Sequence, residues 1–143
     1  MSNVNIIDAS AALAYLNREK GHEIVDAALG ADPSWITSVN YCEILGKLIQ
    51  GGMPLDAADL TMVDLGLEVI DFDLELARLA AAIRSRTASI GASLGDRACL
   101  ALAQRTADKP AGSLTPVVYT AEQSWAKVKW PFKIVLIRQG RNP

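Results

Sequence analysis

Histidine and cysteine are scarce in this sequence, whose 143 residues include one His and two Cys. His22 lies at the acidic start of a helical pattern, so we do not expect a histidine-dependent active site or a zinc site. Cys42 and Cys99 lie within apolar helical patterns with no second cysteine close by, which predicts two buried thiols rather than a disulfide. Because half of the residues are apolar, a stable core needs neither disulfides nor a structural metal.

Long apolar runs and nucleotide-binding glycine motifs are also missing. No stretch approaches the roughly 18–20 apolar residues that span a bilayer. Asp8 stands where a signal peptide would be apolar, so we expect a soluble, cytoplasmic protein without a membrane partner. Neither G-x-G-x-x-G nor G-x-x-x-x-G-K-[ST] is present, which argues against a dinucleotide site and a P-loop.

Acidic residues are rare in the second half of the chain, and basic residues are rare in the first. The net charge of −2 hides three basic and thirteen acidic residues in 1–75, against eleven basic and three acidic in 76–143. Two readings stay open. The charges form either two solvated surfaces of one globule, or a basic face for a polyanion beside an acidic site for cations.

Apolar runs alternate with helical patterns along the whole chain. The pattern predicts strands at 4–7, 34–38, 67–72, 117–119 and 132–137. Helices are predicted at 10–18, 21–29, 39–50, 54–64, 74 to about 86, and 96–105, with a short one ending at Trp125. Residues 87–95 are predicted to form a loop or a broken helical turn, and residues 107–116 a loop. Such alternation indicates an α/β fold with a mostly parallel, five-stranded sheet. Without linkers or repeats, residues 1–143 are expected to form a single domain.

Four acidic residues lie where such a sheet collects ligands. Asp8 ends the first strand, Glu43 lies on a mainly apolar helix, Asp96 opens the most apolar helix, and Glu122 follows the fourth strand. Ligands of open α/β sheets bind at the carboxyl ends of the strands, so we expect these acids to converge there.

Each acid also has a simpler interpretation. Asp8 and Asp96 could be helix N-caps. Glu43 could pair with Lys47 one turn along its helix. Glu122 could favour the positive end of a short helix.

Converging carboxylates would repel one another and raise their pKa values unless a divalent cation neutralises them. Oxygen ligands without His or Cys favour Mg²⁺ or Mn²⁺ over zinc. Such ions activate water for phosphodiester cleavage. A phosphatase acting on small substrates is a weaker alternative, because Ser10 stands where a second Asp is usual.

Four segments of the chain carry a family resemblance: Ile7–Ala11, Ser38–Glu43, Leu94–Ala101 and Tyr119–Trp125. They resemble, in order and spacing, the four motifs of PIN-domain ribonucleases, above all the VapC-type toxins of bacterial toxin–antitoxin modules. The resemblance implies a PIN-like three-layer fold and Mg²⁺- or Mn²⁺-dependent endoribonuclease activity on RNA. It also implies a homodimer that a cognate antitoxin holds inactive by binding in a groove between helices.

The resemblance also assigns roles to residues. Asp8, Glu43 and Asp96 match the acidic core as catalytic and metal-binding residues, and Thr120 matches the hydroxyl residue of the last motif. Ser10 and Asn40 are expected to support them.

The last motif departs from the family, which usually has Asp after Thr-Ala. The chain has Glu122 there, and we assign it as the fourth catalytic and metal-binding residue. Asp108 completes a literal Thr-Ala-Asp, but that triplet follows a helix instead of a strand, so we regard it as a decoy.

Basic residues flank the third motif. Arg84, Arg86 and Arg97 are expected to contact RNA phosphates, although Arg84 and Arg86 could be ordinary surface residues and Arg97 could serve packing. Two functions therefore remain: a nuclease toxin, or a catalytically weakened PIN-like module that binds RNA or an antitoxin, which the departure at Glu122 motivates.

Overall fold

A five-stranded sheet forms the centre of the molecule. In a computed structural model that describes residues 2–110 and 113–138, the strands are β1 (Asn3–Ile7), β2 (Ser34–Thr37), β3 (Glu68–Ile70), β4 (Thr115–Thr120) and β5 (Lys133–Leu136). Their order is β3-β2-β1-β4-β5, and all four pairings are parallel. The predicted α/β fold with a parallel sheet is confirmed.

Helices fill the connections between the strands. They are α1 (Ala9–Leu16), α2 (His22–Ala31), α3 (Ser38–Gln50), α4 (Leu55–Val63), α5 (Leu74–Ala82), α6 (Arg84–Thr87) and α7 (Leu94–Ala107). Two 3₁₀ segments, Ala88–Ile90 and Gln123–Lys127, complete the described part of the chain. Within the two described ranges, no helix is both long and apolar enough to cross a membrane.

The sheet is packed on both faces. Neighbouring strand residues point to opposite sides, and Ile6 and Ile7 accordingly belong to different core clusters. Ile6 packs with α5, α7 and Trp125, whereas Ile7 packs with α1, α3 and Met62 of α4. The result is three layers, with the sheet between two sets of helices.

Several predicted boundaries differ from the structure. The helix expected from 74 to about 86 is interrupted at Ile83, and α7 begins at Leu94 instead of Asp96. Pro116, expected in a loop, lies inside β4, where Thr115 N donates to Ser2 O and pairing with β5 begins only at Val117. The missing N–H of Pro116 therefore faces a side without a paired strand. Residues 111 and 112 of that expected loop lie outside the described residues.

The two cysteines have different environments. Cys99 is buried, as predicted, but Cys42 is exposed, so the prediction for Cys42 is wrong. The buried stripe of α3 contains Asn40 and Ile44, four residues apart, and Cys42 lies between them on another face of the helix.

Candidate active site

Asp8 lies where the two central strands end side by side. Ile7 pairs with Tyr119, and Asp8 N donates to Tyr119 O at 3.2 Å, so Asp8 lies beside Thr120. Asp8 is also the N-cap of α1, because its Oδ1 accepts a hydrogen bond of 2.8 Å from Ala11 N. The capping interpretation is correct, but the cap hydrogen bond involves only one of the two carboxylate oxygens, Oδ1.

Two hydroxyl groups hold the rest of the Asp8 carboxylate. Ser10 Oγ lies 2.8 and 2.9 Å from its two oxygens, and Thr120 Oγ1 donates to Oδ2 at 2.6 Å. Both hydroxyls are themselves oriented, because Ser10 Oγ accepts from Ala121 N and Thr120 Oγ1 accepts from Glu122 N, each at 2.9 Å. Ser10, a predicted supporting residue, and Thr120, the predicted hydroxyl residue of the last motif, therefore both contact Asp8 directly.

The Asp8 carboxyl is only 3% exposed, and its charge is poorly compensated. Burial raises the pKa of Asp8 to about 7, although hydrogen bonds from Thr120, Ala11 and Ser10 act in the opposite direction. The negative charge of Asp96 raises the pKa further. A bound cation would lower the free-energy cost of placing a buried negative charge beside a second acid.

Glu43 is held on α3 by the preceding turn of the same helix. Thr37 caps α3 by accepting from Asn40 N at 3.0 Å, and Asn40 Nδ2 donates to Glu43 Oε1 at 2.7 Å. The same Nδ2 donates to Gly95 O at 3.1 Å, which joins α3 to α7. Instead of pairing with Lys47, as the simpler interpretation had it, Glu43 thus contacts α7.

Gly95 leaves the space that Glu43 occupies. A Cβ atom at position 95 would lie 2.6 Å from Glu43 Cδ, which is shorter than real Cβ contacts. Asn40 and Gly95 together therefore fix the Glu43 carboxylate against the start of α7, and we refer to this arrangement as the Asn40–Gly95 clamp. Asn40 is 2% exposed, and its Oδ1 is buried without a hydrogen-bond partner among the described residues.

Asp96 lies in the first turn of α7. Ser93 is the N-cap, not Asp96: Ser93 Oγ accepts from Asp96 N at 3.2 Å, and Asp96 Oδ2 accepts from Ser93 N at 3.0 Å. This capping box fixes the direction of the Asp96 side chain, which remains partly exposed.

The buried thiol of Cys99, one turn after Asp96, lies within the electrostatic influence of three of the acids. Burial raises the pKa of Cys99 well above its usual value, and the negative charges of Asp8, Asp96 and Glu43 raise it further. Glu122 is not among these charges, and its side chain is exposed. In residues 2–110 and 113–138, no three His, Cys, Asp or Glu side chains are close enough to form a preassembled metal site.

A sequence model of the PIN domain matches residues 6–131. The chain belongs to the PIN domain family. No curated protein sequence matches it.

Solved structures match the fold of this PIN domain over nearly its whole length. A chain of VapBC2 from Rickettsia felis, bound to a DNA fragment from its promoter, gives a TM-score of 0.66 at 11% identity, covering 92% of this chain and 97% of that one. DNA-bound VapBC from Salmonella typhimurium gives 0.62 at 17% identity, covering 94% and 98%. VapBC-5 from Mycobacterium tuberculosis, a toxin–antitoxin system, gives 0.57 at 20% identity, covering 92% and 97%. At these identities the likeness is one of fold.

In this PIN domain the decoy acid Asp108 lies at the other end of α7 from Asp96. Asp108 follows α7, is exposed and accepts from Gln104 Nε2 at 2.8 Å. Twelve residues of helix separate it from Asp96, a distance of about 18 Å. Glu122, by contrast, directly follows the strand that carries Thr120, and its backbone N–H bonds to the Thr120 hydroxyl.

The three arginines of the predicted RNA contact have different partners. Arg97 Nη1 donates to Ala80 O at 3.0 Å and connects α7 to α5. This contact supports the packing role for Arg97 that was offered as the alternative to RNA contact. Arg86 Nη2 donates to Lys129 O at 3.1 Å, and its guanidinium lies 4.6 Å from the centre of the Trp130 ring. Arg84 is exposed. The clamp at Gly95 was missed by sequence reasoning, because Asn40 and Gly95 are 55 residues apart and no local pattern connects them.

Proposed function

We propose that this PIN domain is a divalent-metal-dependent endoribonuclease and the toxin of a toxin–antitoxin pair acting in the cytoplasm. The observation that carries the proposal is the placement of the acids: Asp8 lies at the carboxyl ends of the central strands, and Glu43 lies against Gly95, the residue before Asp96. Asp8 is buried there with a raised pKa, and the ion pairs of the described residues lie elsewhere.

The donor atoms at this edge fit a hard cation. They are carboxylate and hydroxyl oxygens, and the only thiol among them is buried and has a raised pKa. Asp8 and Asp96 would hold Mg²⁺ or Mn²⁺, with Glu43 and Glu122 completing the set. The bound ion would acidify a water molecule and stabilise negative charge on the phosphate.

The protein residues supply orientation and a proton acceptor. Ala11 N–H, Ser10 and Thr120 fix the two Asp8 oxygens, so this carboxylate needs no reorganisation during the reaction. Glu43 is exposed, and Asn40 occupies its Oε1. Glu43 Oε2 is thus left to accept the proton of the attacking water.

A protein partner is the second half of the proposal. The similar folds are those of chains in VapBC structures, and one of these, VapBC-5, is described as a toxin–antitoxin system. We therefore propose that a cognate antitoxin binds this chain. Large apolar side chains are exposed along α3 and α4, a feature typical of a protein-binding surface: Ile49, Met53, Leu55, Leu60 and Val63. The homodimer expected from the resemblance stays part of this proposal.

Glu122 supports a second candidate, a weakened PIN module that binds RNA or an antitoxin without cutting. Its carboxylate is exposed and does not contribute to the charge around Cys99. If this candidate is correct, the protein binds RNA without cleaving it, and Glu122→Asp restores cleavage.

The decisive experiment incubates antitoxin-free protein with structured RNAs in Mg²⁺ or Mn²⁺ and maps the new RNA ends. We expect cleavage that EDTA and Asp96→Asn both abolish, while Asp108→Asn cleaves normally. Cleavage that persists in EDTA and in Asp96→Asn would assign the activity to another site or to a contaminant.

A further inference from the structure

The two longest segments of the chain without an acidic residue both carry basic residues. Residues 76–95 carry Arg78, Arg84 and Arg86, and residues 123–138 carry Lys127, Lys129, Lys133 and Arg138, without a single Asp or Glu in either. The first segment ends one residue before Asp96, and the second begins one residue after Glu122. Both therefore adjoin the candidate active site in the chain.

The structure joins these two segments. The 3₁₀ segment Ala88–Ile90 contacts the 3₁₀ segment Gln123–Lys127, and Arg86 donates to Lys129 O. The Arg86 guanidinium lies over the Trp130 ring, and Trp130 stacks on Phe132 with 5.4 Å between ring centres. Trp130 thus contacts both Arg86 and Phe132, so these rings fix the position of the segment, and the exposed lysines are available to bind a ligand.

The lysines of the second segment point away from the core. Exposure alternates along 127–133: the side chains of Lys127, Lys129 and Lys133 are exposed, whereas Val128, Trp130 and Phe132 are partly buried. Trp130 and Phe132 pack against the core cluster that includes Trp125. The chain leaves the 3₁₀ segment at Lys127 and enters β5 at Lys133, and along this connection the three lysines are the exposed basic side chains, which we call the lysine row. None of them occurs in the ion pairs between described residues.

We infer that this row, together with Arg84 and Arg86, is a surface that binds the RNA backbone next to the candidate active site. We call these five residues the basic face. The inference rests on the proposed function for its ligand, a polyanion whose cleaved bond would lie at the acids. Lys133 begins β5 and therefore lies away from the carboxyl ends of the strands, whereas Arg84 and Arg86 precede the helix that carries Asp96. Because the basic face consists of Lys and Arg side chains, it contacts phosphates and contributes affinity with little base preference.

The test measures RNA binding in EDTA, where metal-dependent cleavage does not occur. A labelled single-stranded RNA of mixed sequence is titrated with wild type, with Lys127→Gln/Lys129→Gln, and with the control pair Lys20→Gln/Lys109→Gln. The control also removes two positive charges, from exposed lysines that lie outside residues 76–95 and 123–138. Melting temperatures show that all three proteins are folded.

We expect the Lys127/Lys129 variant to bind several-fold more weakly, with a loss that is similar for RNAs of different sequence. The slope of log affinity against log salt should fall by about 1.4, since each phosphate contact to a single strand contributes ~0.7. The control pair should keep the wild-type slope.

An equal loss of RNA affinity in the two variants would overturn the assignment, because removing any two positive charges from the surface would then have the same effect. Unchanged RNA binding combined with loss of antitoxin binding would overturn it in favour of an acidic protein partner. Binding does not depend on chemistry, so a protein that shows the expected slopes but never cleaves RNA refutes the nuclease proposal and leaves the basic face in place.

Discussion

At the scale of single residues, Asp8 is where burial and function conflict. The pKa of Asp8 in the folded protein, about 7, lies above its usual value of 3.8 because the carboxyl is buried. Between these two pH values the folded state binds more protons than the unfolded chain. The contribution of Asp8 to stability is therefore most favourable near pH 4 and declines as the pH rises to 7, by on the order of 4 kcal/mol in total.

Asp8→Asn tests this conflict in EDTA. Asn is also a good N-cap and does not titrate, so we expect the variant to be more stable than wild type at pH 8 and to lose this advantage toward pH 4. Urea unfolding across this range measures the difference. Asp108→Asn, at an exposed acid, should follow the wild-type curve. Parallel curves for wild type and Asp8→Asn would contradict the raised pKa.

Gly95→Ala tests the Asn40–Gly95 clamp. The added Cβ must displace the Glu43 carboxylate, which is the end of a flexible side chain, so we expect the fold to remain and RNA cleavage to fall at least tenfold. Gly46→Ala is the matched control, because a Cβ there meets nothing within 4 Å. It should gain up to about 1 kcal/mol of helix stability and cleave normally. Normal cleavage by Gly95→Ala would remove Glu43 from the mechanism.

The sequence predicts the residues of this site unequally. Asp8 is predicted because it ends an apolar strand, whereas Thr120 is predicted only by its match to the last motif of the family. The parallel pairing of β1 and β4 then places the two side chains together. The clamp depends on the approach of two helices, which the apolar pattern of neither helix specifies. Glu122 shows the opposite problem: its place after β4 was predicted, but a strand position does not determine where an exposed side chain points.

At the scale of elements, α7 connects the site to the core. Its residues Ala98–Ala103 are all buried, as the uniformly apolar pattern predicted. The predicted start of α7 at Asp96 is wrong, because the N-cap is Ser93, three residues earlier. That spacing of a hydroxyl and an acid is the signal of a capping box.

Ser93→Ala should destabilise α7 and the carboxylate it carries. The variant loses the hydrogen bond from Asp96 N to the Ser93 hydroxyl, so we expect a loss of about 1 kcal/mol in unfolding free energy. Ser93→Thr, which keeps the hydroxyl, should restore most of it. Urea denaturation measures both variants. An unchanged midpoint for Ser93→Ala would mean that the cap contributes nothing to stability.

At the scale of the whole molecule, the sheet order brings together charges that the chain separates. With β1 and β4 at the centre, Asp8 lies beside Thr120, 112 residues away, and α7 returns Asp96 to the same edge. The alternation of strands and helices predicted a parallel sheet, and the charge asymmetry suggested a basic face beside an acidic site. The contact between the two acid-free segments could not be predicted, since it depends on where Arg86 meets Trp130.

Convergence of the acids makes a prediction for the stability of the entire fold. An ion that binds only the folded state stabilises it, by ~1.4 kcal/mol when its free concentration is ten times its Kd. In a chain of this size, such a gain raises the Tm by roughly 5 °C. We therefore expect millimolar Mn²⁺ to raise the Tm of the wild-type protein in thermal unfolding measured against an EDTA reference.

The same measurement on two double variants decides whether the ion binds at the candidate site. Asp8→Asn/Asp96→Asn should remove the Mn²⁺-dependent rise, because it neutralises the two carboxylates whose charges interact most directly. Asp26→Asn/Asp64→Asn removes two exposed acids of the acidic half and should keep the rise, which separates site binding from general charge screening. If the rise is absent in the wild type, or is lost equally in both variants, then the three carboxylates around Cys99 do not form a cation site.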